Sequence, residues 1–265
     1  YGEDDYIELT ATHRRNTDNY LLEATKSEKP ITYIENNETK VSSLGFSGYH
    51  NVNENTGINY SGQITADEID STSLKHSTRT YTKFSILPEY RITLSEEESL
   101  SLRAGASFDD TNRDDSKFSG IGDVTWKRIH TDGNSESIYL SYTETSQVPG
   151  YTAIHHRKSN LERETTQNLE LGSKLKRTNW SLEAAIFYRW DDKLVDWVYK
   201  ADTQYDRSAN GVDIDTFGVE LIASKRWNTI EAIASYTYLN KDEDYIDASF
   251  YALNYANHRF TFGAI

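Results

Sequence analysis

The sequence contains no cysteine, which excludes a disulfide framework, a thiolate metal site and a cysteine nucleophile. Positive charge is in deficit: 28 Lys and Arg stand against 42 Asp and Glu, giving a formal net charge of −14. That balance argues against nucleic acid as a partner, because a phosphate backbone needs a basic footprint; the acidity itself reads as solubility and solvated loops. Long hydrophobic runs are missing as well. The longest unbroken apolar stretch is Ala184 to Tyr188, far short of the roughly 20 residues of a transmembrane helix, and the mean hydropathy is −0.74. A membrane protein built of strands is not excluded, since barrel strands hide their apolar residues at every second position. No charged-then-apolar leader is seen in this sequence. The chain opens on Tyr1 and closes on Ile265 in mid-pattern, so both ends are expected to be cuts within a longer protein.

Period-2 alternation is what the sequence does have, from end to end. From Ser99 to Asp109, Leu100, Leu102, Ala104, Ala106 and Phe108 fall on one face, with Ser99, Ser101, Arg103, Gly105, Ser107 and Asp109 on the other. A helix would scatter these residues, whereas a strand sorts them completely. Phe84 to Leu94, Trp180 to Trp190, Phe217 to Ala223 and Ile230 to Tyr238 repeat the pattern. The count is about thirteen strands, and no stretch carries a clear amphipathic helix. The 19 tyrosines against 9 phenylalanines suit a protein with many half-wet surfaces.

The connections are expected to alternate short and long. Short ones fall near Arg15–Asp18, Asn51–Asn55, Ser95–Glu98, Thr131–Asn134, Arg177–Asn179 and Arg226–Asn228. Long, polar ones fall near Ser27–Glu38, Asp70–Ser77, Asp110–Ser119, Glu144–Glu164, Ala201–Arg207 and Lys241–Tyr255. Every tight turn then lies at one end of the sheet and every long loop at the other, as in an up-and-down meander with two unlike ends. Outer-membrane barrels have this asymmetry. A soluble sandwich also alternates, but its strands are shorter and its Greek-key connections scramble the loop lengths. Trp180 and Trp190 share a face ten residues apart; that is roughly 33 Å along a strand. At a tilt of about 40° it becomes roughly 25 Å of height, the apolar band between aromatic girdles. The fold expectation is therefore all-β: an antiparallel up-and-down meander forming part of a large transmembrane β-barrel.

Five segments from Tyr139 onward are similar to motifs of one known family. Tyr139-Leu140-Ser141-Tyr142, running on to Val148-Pro149-Gly150-Tyr151, is similar to a strand-and-loop segment of that family, with Ser146-Gln147 in place of its usual Phe-Arg. Asn160 to Gly172, ending Leu169-Glu170-Leu171-Gly172, resembles a family signature but lacks its proline. Phe187-Tyr188 with Asp191-Asp192 before Leu194-Val195, then Gly218-Val219-Glu220-Leu221, then Asn257-His258-Arg259-Phe260-Thr261, follow in the family's order. Each match is short, and the five together, covering Tyr139 to Ile265, resemble the TonB-dependent outer-membrane receptors. The resemblance implies that residues 1–265 are a partial barrel domain, with the plug domain and further strands outside this chain. It implies a place in the outer membrane of a Gram-negative-type bacterium, among outer-membrane lipid, and energy drawn from TonB through the plug. The implied task is active uptake of a scarce nutrient, such as a siderophore–metal complex, another metal chelate, or cobalamin. A passive porin-like barrel and a soluble β-rich carbohydrate-binding module or enzyme are the alternatives.

Catalysis finds little support. No Gly-rich phosphate cradle, H-E-x-x-H or nucleophile elbow occurs. The seven histidines are dispersed except for His155-His156, and neighbours on a strand point to opposite faces, so the pair is not an evident chelate. The expectation is no enzyme and no organic cofactor. The best metal candidate is Asp109, Asp110, Asn112, Asp114 and Asp115, a candidate structural calcium site. Asp110, Asn112 and Asp114 stand at calcium-loop positions 1, 3 and 5, but the sixth is Asp115 rather than Gly and the twelfth is Ile121 rather than Glu, so it is no EF-hand. If the family reading holds, ligand contacts fall on Tyr151, His155, His156, Tyr199, Tyr205 and Tyr245, long-loop aromatic residues that offer contact area at little entropic cost.

Overall fold

In a computed structural model the chain is one antiparallel sheet; residues 5–26, 29–74, 78–155, 161–199, 208–243, 248–249, 252 and 254–264 are described. The strands are β1 (Tyr6–Lys26), β2 (Lys29–Asn51), β3 (Thr56–Ser71), β4 (Thr78–Thr93), β5 (Glu98–Thr111), β6 (Asp114–Ile129) and β7 (Ser135–Gln147). After a one-turn helix α1 (Tyr151–His155) come β8 (Glu164–Arg177), β9 (Trp180–Tyr199), β10 (Ser208–Trp227), β11 (Ile230–Glu243), β12 (Ala248–Ser249) and β13 (His258–Ala264). Each strand pairs with its successor, except that β13 follows β11 and the two-residue β12 lies on β9. The meander expected from the alternation is therefore present. Among the described residues no helix is long and apolar enough to cross a membrane, which says nothing against crossing by strands.

The register lines up the apolar face. Tyr90, Leu102, Val124, Leu140, Leu171, Ile186, Val219 and Tyr238 are successive cross-strand partners over eight strands. These side chains have nothing packed over them: Leu140 is 48% exposed and Ile186 47%. An apolar patch of this extent on a water-facing surface would cost roughly 25 cal/mol for every Å2 left wet, and soluble monomers rarely carry one. The opposite face is polar, with ion pairs such as Arg103–Asp123 at 2.7 Å. Trp180 and Trp190 do share the apolar face within one unbroken strand.

Two glycines of the polar face hold the strands in step. Tyr139 lies directly opposite Gly172, and its hydroxyl donates to Glu170 at 2.7 Å; Phe187 lies opposite Gly218. A Cβ at Gly172 would stand 2.2 Å from Tyr139 Cζ, and one at Gly218 would stand 2.1 Å from Phe187 Cζ. Each ring thus occupies the space a side chain would need, the aromatic cover of a strand glycine that pins register.

Three expected connections are different in the structure. Arg15–Asp18 is not a turn but the middle of β1, and most of Ser27–Glu38 is β2, so these strands form one long hairpin. Asp110–Ser119 is not a long loop: β5 and β6 continue through it, joined across Asn112-Arg113. The cause is common to all three. Where a strand runs on beyond the apolar band both of its faces are wet, the alternation stops, and a polar strand has the composition of a loop. The segment expected as a loop at Ala201–Arg207 lies outside the described residues.

Candidate functional site

The polar face becomes a structured site at the end where the longer connections lie. After β7 the chain does not stand away from the sheet. Val148 and Tyr151 turn back onto the polar face and are buried, Tyr151 to 8% exposure. Arg79 of β4 organises the contact. Its guanidinium pairs with Asp67, its direct partner on β3, at 2.6 Å. It also donates to the Pro149 carbonyl at 3.2 Å and stacks 4.1 Å from the Tyr151 ring centroid. Tyr151 completes the latch by donating its hydroxyl to the Asp67 carbonyl at 3.0 Å. Burial, followed by the nearby Asp67 charge, pushes the Tyr151 phenol above its ordinary pKa. A loop segment crossing from β7 to β3 is thereby tied by one arginine using both its charge and its flat face.

Beside it stands a second polar group. Asp109, buried on β5, takes Lys83 at 2.9 Å and Arg163 at 3.2 Å, and Arg163 also donates to the Asp115 carbonyl at 2.6 Å. Lys117 of β6 reaches Glu144 at 3.0 Å and Thr165 at 2.9 Å. Between the infolded loop and the sheet lies a cavity of about 480 Å3, lined by Gln63, Arg79, Tyr81, Lys83, Val148 and Glu164 among others. It holds both charge signs and an aromatic ring, a composition suited to a polar ligand with a flat or apolar part.

The far side of the same end is built differently. At Lys193, φ is +58° and two residues of β9, Asp192 and Lys193, oppose Asp213 of β10. This bulge reverses the alternation of β9: Ile186, Tyr188 and Trp190 lie on the apolar face, while above the bulge Leu194, Asp196 and Val198 sit opposite Val212, Asn210 and Ser208 of the polar-face set. Val198, Val212 and Ile214 form a buried cluster with Leu194 and Ala252 packed on it. Asp196 accepts from the Ala252 amide at 3.0 Å, and Lys241 donates to the Ala252 carbonyl at 2.8 Å.

Among the expected ligand residues, Tyr151 lies at the centre of the latch and His155, partly buried, closes α1 beside it. Tyr199 ends β9, opposite Ala248, at the far side. His156, Tyr205 and Tyr245 lie outside the described residues. Of the expected calcium ligands, Asp109 is engaged by two cationic side chains, Asp110 is exposed, and Asn112 accepts from the Thr80 amide at 3.0 Å. Asp114 accepts from the Asp115 amide at 2.8 Å. Among the described residues no group of three or more His, Cys, Asp or Glu side chains is placed to hold a metal ion. Arg79, Asp67, Lys83 and Arg163 were not anticipated from the sequence. A signal for one pair existed: a turn centred within Asp70–Ser77 puts Asp67 and Arg79 directly across from each other, where opposite charges pair.

The family model described as TonB dependent receptor-like, beta-barrel, matches residues 2–264. A comparison of the sequence with curated proteins found no match. Among solved structures, the ferripyoverdine receptor of the outer membrane of Pseudomonas aeruginosa superposes over 97% of this chain and 41% of its own, at 15% identity and a TM-score of 0.65. The alcaligin outer-membrane receptor of Bordetella pertussis does so over 97% and 47%, at 15% identity and a TM-score of 0.58. For an iron transporter of Neisseria meningitidis the values are 86% and 43%, at 14% identity and a TM-score of 0.53. The chain therefore spans less than half the length of the structures it resembles.

Proposed function

Because the chain belongs to the TonB-dependent receptor-like β-barrel family, we propose that it is part of the barrel wall of an outer-membrane receptor that takes up a scarce nutrient with energy delivered by TonB. The cargo class is a metal chelate such as a ferric siderophore, with cobalamin as the other candidate. The protein forms no covalent bond with its cargo; it binds on the outside and releases on the inside. The observation that carries this reading is the pairing of a continuous, uncovered apolar face with a polar face onto which the β7–β8 loop is folded. The first suits contact with lipid on the outside of the wall, and the second suits a lined lumen. Lipid tails meet the apolar face without loss, whereas the polar residues stay solvated inside.

The cavity under the infolded loop, lined by Arg79, Tyr81 and Lys83, is the cargo-facing site in this reading, and Tyr151 and His155 of the adjoining loop are proposed as further contacts. His156, Tyr205 and Tyr245 of the long connections, and Tyr199 at the end of β9, are proposed as further contacts. Calcium held by Asp109, Asp110, Asn112, Asp114 and Asp115 is no part of the proposal, because Lys83 and Arg163 already balance Asp109. The test is accumulation of iron from ferripyoverdine, and of cyanocobalamin, by cells expressing the full-length gene product with and without TonB. Uptake of either probe that disappears without TonB supports the proposal. Uptake that persists without TonB points to a passive barrel.

A further inference from the structure

The apolar face has a charged corner at its short-turn end, to which the transport reading gives no role. It lies where β8 turns into β9 through Thr178-Asn179 and β10 into β11 through Asn228-Thr229. Lys225 follows Val219, Leu221 and Ala223 on the apolar face of β10 and is the direct cross-strand partner of Trp180. Trp227 stands two residues further along the same face, 54% exposed. Lys225 is thereby set between two indoles, at the level where tryptophan marks the edge of an apolar band. Its contact is with an uncharged group, the Asn179 side-chain oxygen, at 3.1 Å. The other basic side chains at this rim of the same face are neutralised: Arg128 by Glu97 at 3.2 Å and Arg177 by Glu136 at 3.1 Å. Among the described residues Lys225 has no ion-pair partner.

The side chains that flank Lys225 are donors. The indole N–H groups of Trp180 and Trp227 can only donate, and Asn179, its oxygen already taken, has its amide hydrogens left. One uncompensated positive charge among donors matches one phosphodiester; a head with several phosphates needs several converging cations. Beside the cation the apolar face is low. Leu182, Ala223, Ala234 and Phe262 are successive cross-strand partners on β9, β10, β11 and β13, and Ala232 is the partner of Lys225 on β11. Three alanines thus floor a lane between Leu182 and Phe262, the latter 66% exposed, and the lane begins at Lys225. A hydrocarbon chain joined to the phosphodiester has its place there. From this corner we propose a binding site for an anionic glycerophospholipid, with its phosphodiester at Lys225 between the two indoles and an acyl chain along Ala223, Ala232 and Ala234. The lysine stem lies on apolar surface while its charge reaches the headgroup. The inference rests on the reading that the apolar face meets lipid; it takes nothing from the cargo, and cargo uptake does not enter its test.

The experiment mixes the full-length protein in detergent with equal amounts of phosphatidylglycerol and phosphatidylcholine of the same acyl chains, and counts the first lipid adduct by native mass spectrometry. Phosphatidylglycerol adducts are expected to outnumber phosphatidylcholine adducts. Lys225→Gln should lower that preference about fivefold, the usual worth of one basic side chain at an anionic lipid surface. Lys225→Glu should abolish it, Lys225→Arg should keep it, and Lys174→Gln, on the polar face, should leave it unchanged. An excess of inorganic phosphate should not displace the lipid, because the chain as well as the head is held. Unchanged electrophoretic heat-modifiability shows that each variant still folds. Equal adducts of the two lipids on the unaltered protein, a preference that survives Lys225→Glu and Lys225→Gln, an equal fall in Lys174→Gln, or displacement by phosphate would overturn the inference. Adducts of neither lipid would sink the lipid-facing reading together with it.

Discussion

Replacing Gly172 with alanine places a methyl group where the Tyr139 ring now lies, 2.2 Å from Cζ and 2.3 Å from the hydroxyl oxygen. Separations that short are not tolerated, so the ring must leave. It cannot simply tilt, because its hydroxyl is held at 2.7 Å by Glu170, two residues from the glycine on the same strand. Losing a hydrogen bond to a charged acceptor costs about 1.5–3 kcal/mol, and a forced side-chain rotation adds about 0.5–1.5 kcal/mol. Alanine returns about 0.5–1 kcal/mol, because glycine is a poor strand residue. With the half-exposed setting of the pair discounted, G172A should destabilise by about 1–3 kcal/mol. The companion G218A displaces Phe187, which has no hydroxyl to lose, and should cost less. The decisive assay is a double-mutant cycle in urea, on the full-length barrel refolded in detergent. In a Y139A background nothing occupies the space over the glycine, so G172A should become neutral or stabilising. An undiminished cost of G172A in that background, or no cost in the wild type, would refute the ring-over-glycine explanation of register.

The latch gives a second prediction: Y151F removes a hydroxyl that donates to the Asp67 carbonyl and should cost about 1 kcal/mol, while hydrogen exchange quickens over Gln147 to His155. R79A removes the ion pair, the stacking and the carbonyl contact together, so it should release the loop far more than Y151F, and R79K should rescue only in part because lysine cannot stack and fork at once. A third concerns Asp192 at the bulge, an exposed residue whose carboxyl is pushed above the ordinary range by partial desolvation and by the adjacent Asp213. A raised carboxyl pKa adds stability at low pH that is lost as the pH climbs through the folded-state value. Hence D213N, which still offers Lys193 an amide oxygen, should raise the urea midpoint at pH 7 and lose that advantage below about pH 4, where Asp carboxyls are protonated in either state.

Much of the fold was legible because strands with one apolar face obey a strict rule. Wherever one side must be apolar, as from Ser99 to Asp109 or Trp180 to Trp190, period 2 fixes both the strand and its face. The rule lapses outside the apolar band, which is why Arg15–Asp18 and Asp110–Ser119 read as turn and loop although they are strand. The motif glycines were recognised by resemblance, and the structure supplies their reason: Gly172 and Gly218 lie beneath Tyr139 and Phe187. The site was less legible. Tyr151 was named as a ligand contact from its place in a long loop; its burial against Arg79 was not legible, because nothing local in Val148-Pro149-Gly150-Tyr151 tells a loop to fold inward. Partners such as Asp109 and Arg163 are far apart in sequence and meet only through the meander. The bulge at Lys193, which turns Val198 to the polar face, left no mark beyond a shift of phase after Asp192.

The claim on which everything else depends is that the apolar face meets lipid while the polar face does not. The absence of cysteine from this chain makes the test direct: single cysteines at Leu140, Ser141, Leu171 and Ile186 of the full-length protein, in a background free of other cysteines, each carry a nitroxide label. In lipid vesicles, Leu140, Leu171 and Ile186 should collide readily with oxygen and hardly at all with a water-soluble nickel chelate, while Ser141 should show no lipid-like oxygen exposure. Ready access of the nickel chelate to those three positions, or shielding of all three from both reagents as in a packed core, would contradict the barrel-wall reading.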